Sequence, residues 1–204
     1  WGWWERWPVE QRVFAGLAPV HGAQLGDKCG WIQHRIEQTF QAIFTDEAES
    51  FYFEKDADTG YLLDTGNDDA RTEGMSYGMM MAVQMDRKEL FDRLWTFSLR
   101  YMHNAGGHHA GYFAWSVKPD GRRNSDGPAP DGEEYYAMGL IFASARWGEG
   151  EPPLNYAAQA RAILRHAVHQ PQLTPGGHAM WDEKTALIRF VPELAFSDPS
   201  YHLP

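Results

Sequence analysis

Five stretches of this sequence place apolar residues at the spacing of an amphipathic helix, and long turn-rich segments separate them. The pattern is clearest in HRIEQTFQAIF and ELFDRLWTFSLRYM, where apolar residues recur every third or fourth position. The others are TEGMSYGMMMAVQM, the segment 133–147 and the segment 155–168. We predict five helices, with Thr72 as the N-cap of the methionine-rich one. Strand alternation is confined to SFYFE and LIRFV.

The connections between these helices are too long for a plain helical bundle. One of them, HNAGGHHAGYFAWSVKPDGRRNSDGPAPDG, combines glycines, acids and aromatic residues. Loops of that length inside a compact domain usually carry function. Helical hairpins with elaborate loops on one side are typical of a toroid whose loops form a cleft, although no sequence repeat is visible. The predicted fold class is therefore all-α.

Net charge limits the classes of binding partner, and cysteine content indicates the cellular compartment. The 28 acidic and 18 basic residues give a net charge of -10, which disfavours nucleic acid and anionic membranes. The sequence has no transmembrane run, and its start, WGWWERWP, has neither an initiator methionine nor the apolar stretch of a signal peptide. The single cysteine, Cys29, favours a reducing compartment. We expect a neutral ligand, no cofactor and a cytoplasmic location.

Glu73 is the first candidate for chemistry, because this acid opens a helix otherwise rich in Met, Ala, Val, Gly and Tyr. Burial among Met75, Met79 and Met80 would disfavour the charge and leave a proton for donation to a leaving group. The alternative is an ordinary first-turn glutamate that complements the backbone N–H groups of the helix. Spacing does not separate these two interpretations.

Asp131 opens a second helix behind a proline-containing loop. With Glu134 three residues later it fits a capping box, and at the mouth of a cleft it would accept hydrogen bonds from sugar hydroxyls. Trp115, in GYFAWS, would either stack on a sugar ring or fill the core. Tyr201 and His202 lie among polar residues and pose the same alternatives.

The histidines of HNAGGHH, at 103–109, are the one candidate for a metal site in the sequence. Their spacing matches no helical zinc motif and no acidic third ligand is evident, so we expect no metal. Two carboxylates with aromatic residues in the loops instead favour carbohydrate hydrolysis. In that reaction one acid protonates the glycosidic oxygen, and a second carboxylate acts on water or the anomeric carbon.

Four ordered segments resemble glycoside hydrolase family 8, and they are DTGNDDARTEGMSYGMMMAVQMD, GYFAWSVKPDG, GPAPDGEEYYAMGLIFASARWG and FVPELAFSDPSYHLP. The sequence is most similar to the branch of the family that releases xylose from the reducing end of xylo-oligosaccharides. The resemblance covers about Trp31 to Pro204, so 31–204 is expected to be part of a single catalytic domain. Residues 1–30 match poorly.

This resemblance implies an (α/α)6 barrel and hydrolysis with inversion at the anomeric carbon. Glu73 then corresponds to the general acid of the family's EGMSYG motif. Asp131 corresponds to the aspartate that binds and helps distort the sugar on the non-reducing side of the scissile bond. Trp115 corresponds to an aromatic platform of the cleft, and Tyr201 to a tyrosine near the catalytic water.

Two points stay open within the resemblance. Arg71, just before the acid, would either orient a carboxylate or only pair with Asp68 or Asp69. The family's catalytic base lies beyond the position that matches Pro204. The resemblance therefore implies an incomplete barrel whose C-terminal half is missing. We assign the role of base to none of the aspartates in this sequence. The alternatives are an endo-acting xylanase, cellulase or chitosanase of the same family, or a fragment that binds carbohydrate without catalysis.

Overall fold

The computed structural model describes residues 25–202, and it describes side chains from Gly30 onward. Five α-helices occupy the predicted stretches. They are α1 (Leu25–Phe44), α2 (Thr72–Gln84), α3 (Lys88–Phe97), α4 (Pro130–Trp147) and α5 (Tyr156–Leu173). A π-helical turn, Ser98–Met102, continues α3, and a 3-10 turn covers Pro199–Tyr201. None of the described helices is both long and apolar enough to cross a membrane.

The chain divides into two compact units, with the boundary between Phe51 and Tyr52. In the described part of the first unit, α1 is followed by a turn that folds back on it. The backbone N–H of Phe51 donates to the carbonyl of Ile43 at 2.9 Å, and the Ser50 hydroxyl donates to the same oxygen at 3.0 Å. The predicted segment 1–30 lies almost wholly outside the described residues, so that domain boundary stays a prediction.

In the second unit, α3 packs on α2, α5 packs on α4, and α2 lies beside α4. The packing explains the composition of α2. Met75, Met79 and Ala82 of this helix are fully buried, as its apolar sequence requires. Helix α3 is amphipathic instead, with Phe91 and Leu94 buried. The core of this unit therefore forms around α2.

Helices α2 and α4 run parallel, because contacts join them at both ends. At their N-termini, a Cβ atom added to Gly132 would lie 2.5 Å from the Cβ of Thr72, so only glycine permits this approach. At their C-termini, the Asp86 carboxylate accepts hydrogen bonds from Arg146 at 3.0 Å and from the Trp147 indole at 2.7 Å. Parallel neighbours place the first residues of both helices at one end.

Within residues 25–202, five short strands supplement the helices. A two-stranded sheet pairs β1 (Tyr52–Glu54) with β2 (Gly60–Leu62), and a three-stranded antiparallel sheet has the order β3 (Ala70–Arg71), β4 (Ser116–Val117), β5 (Arg123–Ser125). Of the two predicted strand segments, SFYFE contains β1, whereas LIRFV contributes only an isolated bridge between Ile188 and Trp181. The remaining strands have two or three residues, which is too short for visible alternation.

Candidate active site

Two carboxylic acids lie at the N-terminal ends of α2 and α4, which are in contact with each other. Glu73 is the second residue of α2, and Asp131 is the second residue of α4. Their chain neighbours Thr72 and Gly132 are in close contact, which places the two acids at the same end of the helix pair, and the charge of Glu73 adds to the raised pKa of Asp131. Each lies near the unpaired N–H groups of a helix start, which attract negative charge. The tertiary structure thus brings together the two acids that the sequence separates.

Asp131 is buried, with 8% of its surface exposed. Its pKa is raised to about 6, mainly by burial and with contributions from the charges of Glu73 and Asp198, whereas the N–H of Gly132 opposes the shift. Its Oδ1 atom has no hydrogen-bond partner among the described residues. A buried oxygen without a partner costs free energy unless a ligand satisfies it. Asp131 is therefore suited to accept a hydrogen bond from a bound molecule.

The capping box predicted for Asp131 and Glu134 is wrong. The N-cap of α4 is Ala129, and Pro130 is the first helical residue. Proline is favoured at this position because its fixed φ matches the helix and its missing N–H is not needed there. The helix therefore begins before Asp131, so this carboxylate lies inside the first turn.

The predicted shielding of Glu73 by methionines is also wrong in the described structure. Met75 and Met79 are fully buried, whereas Glu73 is exposed. The helix turns about 100° per residue, so residues 73 and 75 point to nearly opposite sides. Tyr77, four residues after Glu73, shares its face, and the Tyr77 hydroxyl donates a hydrogen bond to Glu73 Oε1 at 3.4 Å. The methionines bury α2 in the core, and the carboxyl group faces the open side.

Tyrosine side chains surround the two acids. Tyr77 packs edge-on against Tyr135, with ring centroids 4.9 Å apart. Burial raises the pKa of Tyr77 to about 12 and that of Tyr201 to about 12, and the charges of Glu73 and Asp131 add to both shifts. Both hydroxyl groups therefore stay protonated near neutral pH and can donate hydrogen bonds. The charges of Asp131 and Glu73 both act on Tyr201, so this side chain lies close to the acids, and its place near the catalytic water stays a prediction.

Arg71 and Trp115 form a second part of the site. The Arg71 guanidinium lies over the Trp115 ring, 5.1 Å from the ring centroid. Arg71 Nε is 3.0 Å from a carboxylate oxygen of both Asp64 and Asp69. Of the pairings predicted for Arg71, the one with Asp69 is therefore present, and Asp64 takes the place expected for Asp68. Trp115 is half-buried, so the core does not enclose it completely.

Thr72 is not the N-cap of α2 that the sequence predicts. Arg71 takes that position in an extended conformation, without a capping bond from its side chain in the described structure. Strand β3 pairs with β4, in the register Arg71 opposite Ser116, and leads directly into α2. The N–H of Thr72 then donates to the Trp115 carbonyl at 3.0 Å. The small sheet thus fixes Trp115 next to the turn that carries Glu73.

Sequence reasoning assigned no role in the site to three residues near the acids, Tyr77, Glu134 and Tyr135, and considered Glu134 only as a capping partner. Glu134 is half-buried, and burial, with a contribution from the charge of Asp131, raises its pKa to about 7. Helical spacing gives a usable signal for two of them, because residues three and four positions apart share a face. Tyr77 follows Glu73 by four positions, and Glu134 follows Asp131 by three.

Glu133 is a buried acid in the first turn of α4, close in sequence to Asp131. This side chain is 1% exposed, and its Oε1 accepts a hydrogen bond from the Phe113 N–H at 2.8 Å. Its other oxygen has no partner within the described residues. Burial raises the pKa well above the usual 4.5, opposed by the Phe113 N–H and assisted by the charge of Asp131. Burial therefore favours the protonated form of Glu133, and this side chain joins the start of α4 to the segment before Trp115.

We expect Glu133→Gln to increase the free energy of unfolding at pH 8 relative to the unchanged protein. Glutamine keeps an acceptor for Phe113 and cannot ionise. Because the folded pKa is raised, the contribution of Glu133 is complete below pH 4.5 and is lost as the pH rises through its folded value. Urea denaturation at pH 5 and pH 8 measures the difference.

Glu133→Leu is the matched comparison. It removes the acceptor and leaves the Phe113 N–H unpaired, which should cost about 1–3 kcal/mol at both pH values. A Gln variant that shows the same pH slope as the unchanged protein would contradict the assignment of Glu133 as a buried acid with a raised pKa.

Comparison with known proteins identifies the relatives of this chain. The model of the glycosyl hydrolases family 8 matches residues 39–204. A reducing end xylose-releasing exo-oligoxylanase of Halalkalibacterium halodurans is 59% identical over 175 residues, which cover 85% of this chain and 45% of that protein. A protein of the same description from Bifidobacterium adolescentis is 51% identical over 90% of this chain and 49% of its own length.

A solved structure extends the comparison to the fold. A mutant of Rex8A from Paenibacillus barcinonensis, complexed with 3(3)-alpha-L-arabinofuranosyl-xylotetraose, matches with a TM-score of 0.83 and 55% identity. The match covers 85% of this chain and 46% of that one. The chain thus spans about half the length of the curated relatives it matches. The predicted fold class, an all-α chain forming part of an (α/α)6 barrel, is confirmed.

Proposed function

The chain belongs to glycosyl hydrolase family 8, and we propose that its protein is an inverting hydrolase that releases xylose from the reducing end of xylo-oligosaccharides. The observation that carries the proposal is the meeting of Glu73 and Asp131 at the starts of two parallel helices. The identity of 51–59% to exo-oligoxylanases supports the substrate class. Tyr77, Trp115 and Tyr201 supply the flat rings typical of sugar clefts.

In this proposal Glu73 is the general acid. Its exposed carboxyl group is accessible to a glycosidic oxygen, and the Tyr77 hydroxyl holds one of its oxygens. The acid must carry its proton when the substrate is bound, and an arriving sugar displaces water from the exposed side of Glu73. Proton transfer to the departing oxygen then accompanies cleavage of the bond to the anomeric carbon.

Asp131 binds the sugar on the non-reducing side of the bond. Its unpartnered Oδ1 is the acceptor for a sugar hydroxyl. A hydrogen bond to an ionised carboxylate strengthens as positive charge develops on the sugar ring in the transition state. The burial that raises its pKa to about 6 also strengthens this interaction, because few waters compete for the oxygen.

Trp115 is the proposed platform for a sugar ring, and Arg71 is its support. The guanidinium covers one face of the indole, so the opposite face is assigned to the sugar. The ion pairs of Arg71 with Asp64 and Asp69 restrict the guanidinium. Arg71 is therefore a positioning residue in this proposal.

We assign no general base within these residues. Inverting enzymes hold their two catalytic carboxyl groups roughly 6.5–9.5 Å apart, with the attacking water between them. We propose that the base belongs to the part of the barrel that the relatives possess and this chain does not span. The alternative of a carbohydrate-binding fragment then applies to the 204 residues by themselves.

We expect the full-length protein to convert xylotriose into xylose and xylobiose. Substrate labelled at its reducing end should yield labelled xylose, because the bond next to that end is cleaved. The first product observed by proton NMR should be the α-anomer, since inversion changes the β-configuration of the substrate. Chromatography of early time points measures the products.

The 204-residue chain is the comparison in the same assay, and binding without cleavage is the expected result. Release of products only from long xylan would favour the endo-acting alternative. Cleavage of cellotriose at a comparable rate would instead move the substrate class to glucans.

A further inference from the structure

His108, His109 and Glu193 form a cluster apart from the two carboxylic acids of the active site. Their ligand atoms all lie within 4.8 Å of one another. His109 Nε2 is 2.6 Å from Glu193 Oε1, and the two histidine rings have centroids 4.0 Å apart. Two imidazoles and one carboxylate are a ligand set that suits zinc and similar transition metals.

The loop that carries the histidines is held in place by buried groups. Gln170, which is fully buried, donates hydrogen bonds from Nε2 to the carbonyls of His108 and Ala110, at 3.2 and 2.8 Å. The N–H of Gly111 donates to the carbonyl of Asn104 at 2.8 Å, which closes the loop. The backbone at both histidines is therefore fixed by contacts that do not use their side chains.

The segment that carries Glu193 is fixed separately. Arg189 donates hydrogen bonds to the carbonyl of Pro192 and to the Asp182 carboxylate, both at 3.1 Å. Pro192 is buried, whereas the side chain of Glu193 is exposed. Both halves of the cluster therefore rest on ordered backbone, which reduces the entropy lost when an ion binds.

We propose that His108, His109 and Glu193 bind a divalent transition metal, with Zn²⁺ as the preferred ion, and that the metal joins the histidine loop to the segment before Tyr201. Zinc bonds to nitrogen and oxygen are about 2.0–2.2 Å long, so two ligands of one ion stand roughly 3.3 Å apart. The His109 to Glu193 hydrogen bond must open slightly to admit it. Rotation of the exposed Glu193 side chain supplies that movement.

The expectation of no metal rested on the spacing of the histidines, which matches no helical zinc motif, and on the lack of an evident acidic ligand. Glu193 lies 84 residues beyond His109, so the sequence does not reveal their proximity. Three protein ligands leave a fourth position for water. Binding of the ion would stabilise both loops, because each of them supplies ligands.

The test is titration of the full-length protein, prepared without a histidine tag, with zinc chloride by calorimetry. The expected result is one ion bound per chain. His108→Asn should weaken binding by at least about tenfold, since even the loss of an outer-shell partner of a metal ligand has effects of this size. This variant leaves the hydrogen bond between His109 and Glu193 intact, so folding is preserved. Glu193→Gln should weaken binding as well.

His34→Asn is the matched control, because His34 is an exposed histidine on α1. It should bind zinc as the unchanged protein does. Replacing zinc with Co²⁺ should give visible absorption bands in the control and not in His108→Asn. Absence of zinc binding in the unchanged protein, or equal affinity in all three variants, would overturn the proposal.

Discussion

Glu73→Gln should lower the turnover of xylotriose by the full-length enzyme by roughly 10³-fold, within the range for loss of a general acid. Glutamine matches the size of glutamate and can still accept a hydrogen bond from Tyr77, but it has no acidic proton to give to the leaving oxygen. The side chain is exposed, so the fold should be unaffected. The rate of xylose release measures the loss, and thermal unfolding checks the fold.

A substrate with a better leaving group tests the role of Glu73 more sharply. Fluoride departs from β-xylobiosyl fluoride without protonation, so Glu73→Gln should retain most of the rate with this substrate. Glu183→Gln, at an exposed position, is the matched control and should leave both rates unchanged. An equal loss of rate with xylotriose and with the fluoride would remove Glu73 from the acid role.

Asp131→Asn should produce two effects of opposite kind, a loss of activity and a gain in stability. We expect kcat/KM for xylotriose to fall by about 10²-fold, because an amide forms a weaker hydrogen bond with the sugar in the transition state than a carboxylate does. Because the pKa of Asp131 is raised to about 6, we expect the acid limb of the pH profile to be altered in the variant. Initial rates from pH 4 to pH 9 measure both changes.

The gain in stability follows from the direction of the pKa shift. The pKa of Asp131 rises from 3.8 to about 6, so its ionised form is disfavoured in the folded state. The cost is absent below pH 3.8 and complete above about pH 6, where two pKa units correspond to about 2–3 kcal/mol. Asparagine removes this cost. Urea denaturation should therefore show a more stable variant at pH 8 and a smaller difference at pH 5.

A variant with lower activity and lower stability at pH 8 would indicate that Asp131 mainly holds the fold. Lower activity with higher stability would indicate that the buried charge is kept for substrate binding. Functional sites commonly retain such unfavourable groups.

The sequence predicts the helices well, because the evidence for them is local. In α2 and α3 the apolar residues recur at the helical period, and the burial of Met79 and Phe91 follows from that spacing. The two helix starts were harder to predict. Thr72 and Asp131 both have the chemistry of capping residues, but strand β3 and Pro130 set where the helices begin.

The candidate active site was predicted through the resemblance, residue by residue, and the structure adds how the residues are arranged. Glu73, Asp131 and Tyr201 come together, and Arg71 lies over Trp115. The prediction that methionines shield Glu73 is wrong because Glu73 and Met75 lie on opposite sides of α2. The sequence places methionines next to Glu73, but they point into the core.

By itself, the sequence determined the helical segments, the two acids at helix starts and the family resemblance, because each depends on residues that are near one another in the chain. Only the tertiary structure decided which side chains are exposed and which distant residues meet. Glu73 and Asp131 lie close together because Gly132 has no side chain and so allows close contact with Thr72. The hydrogen bond between His109 and Glu193 joins two loops that are far apart in the sequence. Burial and charge interaction act through space, so the order of residues does not set them.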